Sequence, residues 1–179
     1  MKRSAGLFSL LLGVVLALVP LSAGAAPGCG ITWGSLDKQA EHPDGQELQD
    51  VRTGRHECYD RLVLDVGGGP ASYVVRYVPQ VYEDASGEPV ALRGAAFLEV
   101  VVRVPAYDQN GRPTYHPADE NELVDVTGYR TFRQVAWAGS FEGQTTIGVG
   151  VRARLPFRVF VLDGPGGDGR VVLDVAHAW

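Results

Sequence analysis

Along most of this chain, apolar and polar residues alternate one by one, the period of a strand with one buried face. From Arg61 onward, Leu62, Leu64 and Val66 alternate with Val63 and Asp65, until Gly67-Gly68-Gly69-Pro70 ends the run. Tyr73 to Val78 is β-branched and aromatic, and Pro79 closes it. Leu98, Val100, Val102 and Val104 face one way while Glu99 and Arg103 face the other. In the last third, Thr145, Ile147, Val149 and Val151 alternate with Gly148, Gly150 and Arg152. Phe157, Val159 and Val161 then alternate with Arg158, Phe160 and Leu162, and Val171, Leu173 and Val175 with Val172, Asp174 and Ala176. Tyr129 to Trp137 carries both periods and is read mainly as strand. Ile31 to Gly34 reads as a short strand or an apolar plug, and the polar stretch Lys38 to Asp50, with Pro43-Asp44-Gly45 inside it, as a turn-rich connector. Ala106 to Asp125 reads as a long insertion.

These segments predict about seven or eight strands separated by turn signals, with no long amphipathic helix. An all-β fold follows: one antiparallel β-sandwich or a flattened barrel. The chain has 179 residues, enough for a single core in which about 70% of the unfolded surface is buried.

The first residues stand apart from this pattern. Lys2 and Arg3 precede an uncharged apolar run from Leu7 to Val19, followed by Pro20 and Ala23-Gly24-Ala25. This is the build of a secretory signal peptide over residues 1–25, with cleavage after Ala25. The run is shorter than the roughly 20 residues a membrane span needs, so no stable span is expected after cleavage. The whole chain carries 16 basic and 21 acidic residues. Removal of Lys2 and Arg3 leaves 14 − 21 = −7 in the mature chain, a charge that argues against nucleic-acid binding. The two cysteines, Cys29 and Cys58, lie in the exported part, where disulfides persist. They are expected to pair and so to tie an N-terminal segment, residues 26–45, to the β domain that follows over residues 46–179. The expected protein is extracytoplasmic, secreted or envelope-associated, and monomeric, with no cofactor and no metal.

Several chemical motifs match in letters but not in context. Gly164-Pro165-Gly166-Gly167-Asp168-Gly169 has the dinucleotide spacing, yet it links two strands and opens no helix. His56-Glu57-Cys58-Tyr59-Asp60 begins like a zinc helix but ends in Asp and feeds a strand. Ser140 lacks the glycine that a nucleophile elbow places two residues earlier. Asp119, Asn121 and Asp125 lack the glycine and terminal glutamate of a calcium loop. Trp33, Trp137 and Trp179 could stack on sugar rings, although an alternating Trp such as Trp137 more often belongs to a core.

Three stretches carry a family likeness: Val51 to Val63 (V-R-T-G-R-H-E-C-Y-D-R-L-V), Gly139-Ser140-Phe141-Glu142-Gly143 with its following strand, and Leu155-Pro156-Phe157-Arg158-Val159 running to Arg170 to His177. With them the chain resembles the AMIN-like domain proteins, exported proteins of high-GC Gram-positive bacteria, over roughly residues 46–179. Its end is also similar to the AMIN domain of envelope amidases and secretins. The resemblance implies a β-sandwich and a non-catalytic module that binds peptidoglycan or another envelope component. Cys29 and Cys58 aside, the candidate site residues are Arg52, Arg55, Arg61, Glu142, Arg158, Asp174 and His177. They form either a structural network of ion pairs or a polar groove for muropeptide carboxylates, with Arg52, Arg55 and Arg61 as its cationic wall. A lipocalin-like ligand carrier and a secreted hydrolase are the competing functions.

Overall fold

The computed structural model describes residues 29–179, so the stretch read as a signal peptide lies outside the described residues. Nine strands follow in order: β1 (Lys38–Pro43), β2 (Glu47–Arg55), β3 (Tyr59–Gly67), β4 (Ala71–Val78), β5 (Ala96–Val102), β6 (Phe132–Phe141), β7 (Gln144–Val151), β8 (Phe157–Asp163) and β9 (Gly169–Ala176). They form two antiparallel sheets, ordered β1-β4-β5-β7-β6 and β2-β3-β9-β8. The sheets do not close on each other, so the fold is the sandwich rather than the barrel.

The core lies between them, where the alternation of the sequence becomes one packed layer. Leu62, Leu64 and Val66 of β3 and Val171, Leu173 and Val175 of β9 meet Val75, Leu98, Val100, Ile147 and Val149 from the opposite sheet. Each of these eleven side chains is fully buried. Phe157 and Phe132 fill the end of the sandwich.

The stretch read as a connector supplies two strands instead. β1 pairs with β4 as an edge strand that buries little, which is why its sequence shows no apolar alternation. β2 buries Leu48 and Val51, but a bulge between Leu48 and Asp50 breaks the period. Ile31 to Gly34 forms no strand. The ambiguous segment does become strand, beginning at Phe132. The insertion from Ala106 to Asp125 runs along the free edge of β6, where Leu123 N–H donates to Val135 and Trp137 N–H donates to Glu120. Tyr115 packs on Trp137, ring centroids 5.7 Å apart. Trp137 thereby joins the core side of the sheet.

The two outward faces of the sandwich differ. Residues 79–95 fold across the outside of the five-stranded sheet, building a second small core of Val81, Val90, Ala136 and Ala138. β7 permits this with glycines on that face. A Cβ on Gly150 would lie 1.9 Å from the Arg93 carbonyl oxygen, and one on Gly148 would lie 2.9 Å from Leu92. Gly150→Ala therefore forces this cover off the sheet. It is expected to destabilise the protein by about 1–3 kcal/mol, read as a lower urea midpoint at unchanged slope.

Candidate functional site

The outer face of the four-stranded sheet carries the charges that the sequence singled out. Odd-numbered positions of β3 and even-numbered positions of β8 and β9 point outward, and the register sets them in rows. Arg61 lies opposite Asp174, which lies opposite Arg158. Val63 lies opposite Val172, and Val172 opposite Phe160. Asp65 lies opposite Arg170.

Asp174 is fully buried although it points outward, because two arginines cover it. Arg61 donates from Nε to Oδ1 at 2.6 Å and from Nη2 to Oδ2 at 2.9 Å. Arg158 donates from Nε to Oδ2 at 2.9 Å, with Nη2 at 2.8 Å. One row further along, Asp65 takes a two-pronged contact from Arg52, at 2.5 and 2.8 Å, and stands 3.4 Å from Arg170 Nε. Hydrogen bonds donated to Asp65 and Asp174 hold the Arg52 and Arg61 guanidinium groups above their ordinary pKa. Four arginines thus share this face with two clamping carboxylates, and Asp50 stands at its rim.

Aromatic rings pack against the guanidinium planes. Arg158 lies over Trp33 at 4.4 Å, over Phe160 at 5.0 Å and over Tyr59 at 5.6 Å. Arg61 lies over Tyr59 at 5.3 Å and Phe160 at 5.5 Å. Trp33 arrives from the N-terminal segment, and the Cys29–Cys58 disulfide holds that segment in place, with Cα atoms 5.7 Å apart. Further hold comes from Phe157 N–H donating to the Gly34 carbonyl and from Arg154 donating to Ser35. The segment is a strap across one end of the face.

Three of the residues expected at this site lie elsewhere. Arg55 is three positions from Arg52 on one strand, so it points to the other side of the sheet, where its guanidinium lies 5.9 Å from the Tyr129 ring. Glu142 is exposed in the two-residue turn between β6 and β7, with positive φ at both Glu142 and Gly143, the requirement of a type I′ hairpin. His177 faces inward to Asp60. Its Nε2 is 3.0 Å from Asp60 Oδ1, and its Nδ1 is 3.1 Å from the Glu57 carbonyl oxygen. Asp60, fully buried, also accepts the N–H groups of Thr131 and Phe132 at 2.6 and 3.0 Å. This cluster locks β3 and the chain end to the start of β6, joining the two sheets. Both ring nitrogens of His177 face oxygen atoms of the protein interior, so the ring is turned away from the outer face.

The other motifs also have local roles. Ser140 accepts the Ala106 N–H and donates to the Gln144 carbonyl. Asp119 and Asp125 each accept the N–H two residues on, as turn formers do. Gly164 to Gly169 spans a short 3₁₀ turn between β8 and β9. Trp179 is exposed and donates to the Arg154 carbonyl.

Arg170, Asp65, Phe160 and Tyr59 complete the face. Arg170 and Phe160 could have been found by extending the alternation of β8 and β9 backward from Asp174 and forward from Arg158.

Two outcomes follow from this geometry. Asp60→Ala removes the partner of His177 and the acceptor of two buried N–H groups, so it is expected to cost about 3–5 kcal/mol in urea unfolding. Replacing both cysteines by serine is expected to cost about 3–4 kcal/mol, since the closed loop spans a sequence separation of 29. It should also raise the fluorescence exposure of Trp33 in the folded state, as quenching by acrylamide would register.

A family model described as "AMIN-like domain" matches residues 46–177. No curated protein and no solved structure matches the chain.

Proposed function

The chain belongs to the AMIN-like domain family, and on that footing we propose that it is an exported, non-catalytic module that binds the cell wall, its ligand being peptidoglycan. AMIN-like domains are cell-envelope binding modules, and a disulfide-bonded sandwich fits a protein that works outside the cytoplasm. Among the described residues no helix is long and apolar enough to cross a membrane.

The observation that carries this reading is the contrast between the two outward faces. One is covered over β6 and β7 by residues 79–95, and beside β1, β4 and β5 it holds the Arg76–Glu99 and Arg103–Glu41 ion pairs, with no aromatic ring among the described residues over their guanidinium groups. The other is left with arginines and aromatic rings whose edges meet solvent: Arg52 is half exposed, and Arg61, Arg158 and Arg170 are partly so. Peptidoglycan offers what such a face recognises. Its stem-peptide carboxylates match guanidinium forks, and its N-acetylated sugars present apolar ring faces that stack on Trp33, Tyr59 and Phe160.

The test is sedimentation of the mature chain, residues 26–179, with isolated sacculi. Wild-type protein is expected in the pellet, with no soluble muropeptide released. Trp33→Ala removes the ring over Arg158 but leaves both Asp174 ion pairs, so the fold is kept while affinity is expected to fall about three- to tenfold, the range of one stacking or cation–π contact. Protein that stays in the supernatant would refute wall binding, and release of muropeptides would refute the non-catalytic role.

A further inference from the structure

Between the two clamped carboxylates, the open face is hollowed into a groove of about 250 Å³. Its floor is Val63 and Val172, and its walls include Arg52, Arg61, Arg170 and His56; no carboxylate lines it. Resting on the reading of this face as the binding surface, we infer that the groove is a phosphate subsite. It takes a phosphate group carried on a hydrophilic wall polymer, beside the end of the face where Trp33 and Arg158 stand.

The donor count supports an anion. A guanidinium has five N–H donors. Arg52 directs Nε and Nη2 at Asp65, and Arg61 directs Nε and Nη2 at Asp174. Each therefore keeps its Nη1 edge free of side-chain acceptors. Arg170 approaches Asp65 no closer than 3.4 Å, so its guanidinium is the least committed of the three.

The arrangement of these donors distinguishes phosphate from carboxylate. A carboxylate presents two coplanar oxygens and is satisfied by a single arginine fork. Here the three arginines come from three strands, β2, β3 and β9. They surround the Val63–Val172 pair at the strand spacing of about 4.8 Å and the two-residue spacing of about 7 Å, so they approach from different directions. Three donors around one point match a tetrahedral oxyanion. The apolar floor makes no demand on hydrogen bonding and admits the carbon backbone on either side of the phosphate.

Charge identifies the carrier. The mature chain has a net charge of −7 by the count 14 − 21, so an extended anionic lipid surface repels the molecule as a whole. A single polymer strand can enter the groove and meet only its positive walls, because screening limits repulsion from distant charges to about 8 Å at physiological ionic strength.

The experiment titrates the mature chain with glycerol 3-phosphate, inorganic phosphate and acetate, following backbone amide shifts of β2, β3 and β9. It adds sedimentation with phosphatidylglycerol vesicles. The expected result is saturable shifts at Val63 and Val172 with glycerol 3-phosphate and with phosphate, about tenfold weaker binding of acetate, and no sedimentation with vesicles. Arg52→Ala combined with Arg170→Ala, both at the surface, is expected to weaken the phosphate effect by roughly tenfold or more, while Arg112→Ala in the exposed insertion leaves it unchanged. Arg52→Lys combined with Arg170→Lys keeps the charge but loses the fork, and is expected to recover only part of the affinity. Equal response to acetate, absence of any phosphate response, or an effect untouched by the double substitution each overturns the subsite. Vesicle binding overturns the polymer carrier. None of these readouts involves peptidoglycan, so sacculus binding can survive the loss of the phosphate subsite, and the subsite can survive the loss of sacculus binding.

Discussion

A carboxylate withdrawn from water must be matched by cations or N–H donors, because its desolvation is otherwise too expensive for the fold to bear. Two such carboxylates, Asp60 and Asp174, sit on opposite sides of one sheet, at neighbouring rungs of the β3–β9 ladder. Asp60 points into the sandwich and draws in His177 and the Thr131 and Phe132 amides, which fixes how the five-stranded sheet meets the four-stranded one. Asp174 points outward and draws Arg61 and Arg158 over itself. The first stabilises the architecture, and the second organises the surface that the architecture leaves open.

Why that surface is open follows from small residues elsewhere. Gly148 and Gly150 allow the chain between β4 and β5 to lie directly on the outside of β7. β3 and β9 have no such glycines at their centres. Their outward positions hold Val63, Val172, Arg61 and Asp174, whose side chains are tied to one another across the strands and would block any covering loop. Cover reaches this face only at one end, where the disulfide holds the strap with Trp33. The boundary between covered and exposed surface is thus set by where Cys58 stands, at the entry to β3.

Much of the fold was legible in the sequence, since β3 to β5 and β7 to β9 have apolar alternation that one buried face imposes. β1 was not legible, because an edge strand that half-buries only Lys38, Ala40 and His42 leaves no hydrophobic trace. Parity was available but not applied at the site. Arg52 and Arg55, like Asp174 and His177, are separated by three residues, and an odd separation places them on opposite sides of a strand. The same rule would have brought Arg170 and Phe160 into the site with Asp174 and Arg158. The partnership of Asp60 with His177 had no local signal, for the two residues meet only through the β3–β9 pairing and the turn of chain after Ala176. Trp33 was beyond any periodic reading, because it reaches its position through a disulfide and a carbonyl contact rather than through a strand.

The ion pairs that hold the arginines also govern what they can recognise. A free arginine side chain surrenders roughly 2 kcal/mol of rotamer entropy when a ligand fixes it. Arg52, Arg61 and Arg158 have already lost that freedom to Asp65 and Asp174, and rings of Trp33, Tyr59 and Phe160 limit the tilt of two of the planes. The carboxylates lower the field that a ligand meets, yet they aim the remaining N–H edges before it arrives, and that preorganisation favours specificity over raw attraction. A protein that is negative overall is well served by this balance. General attraction would bind it indiscriminately, whereas a fixed set of donors in a narrow groove responds only to a group of the right shape brought within a few ångströms.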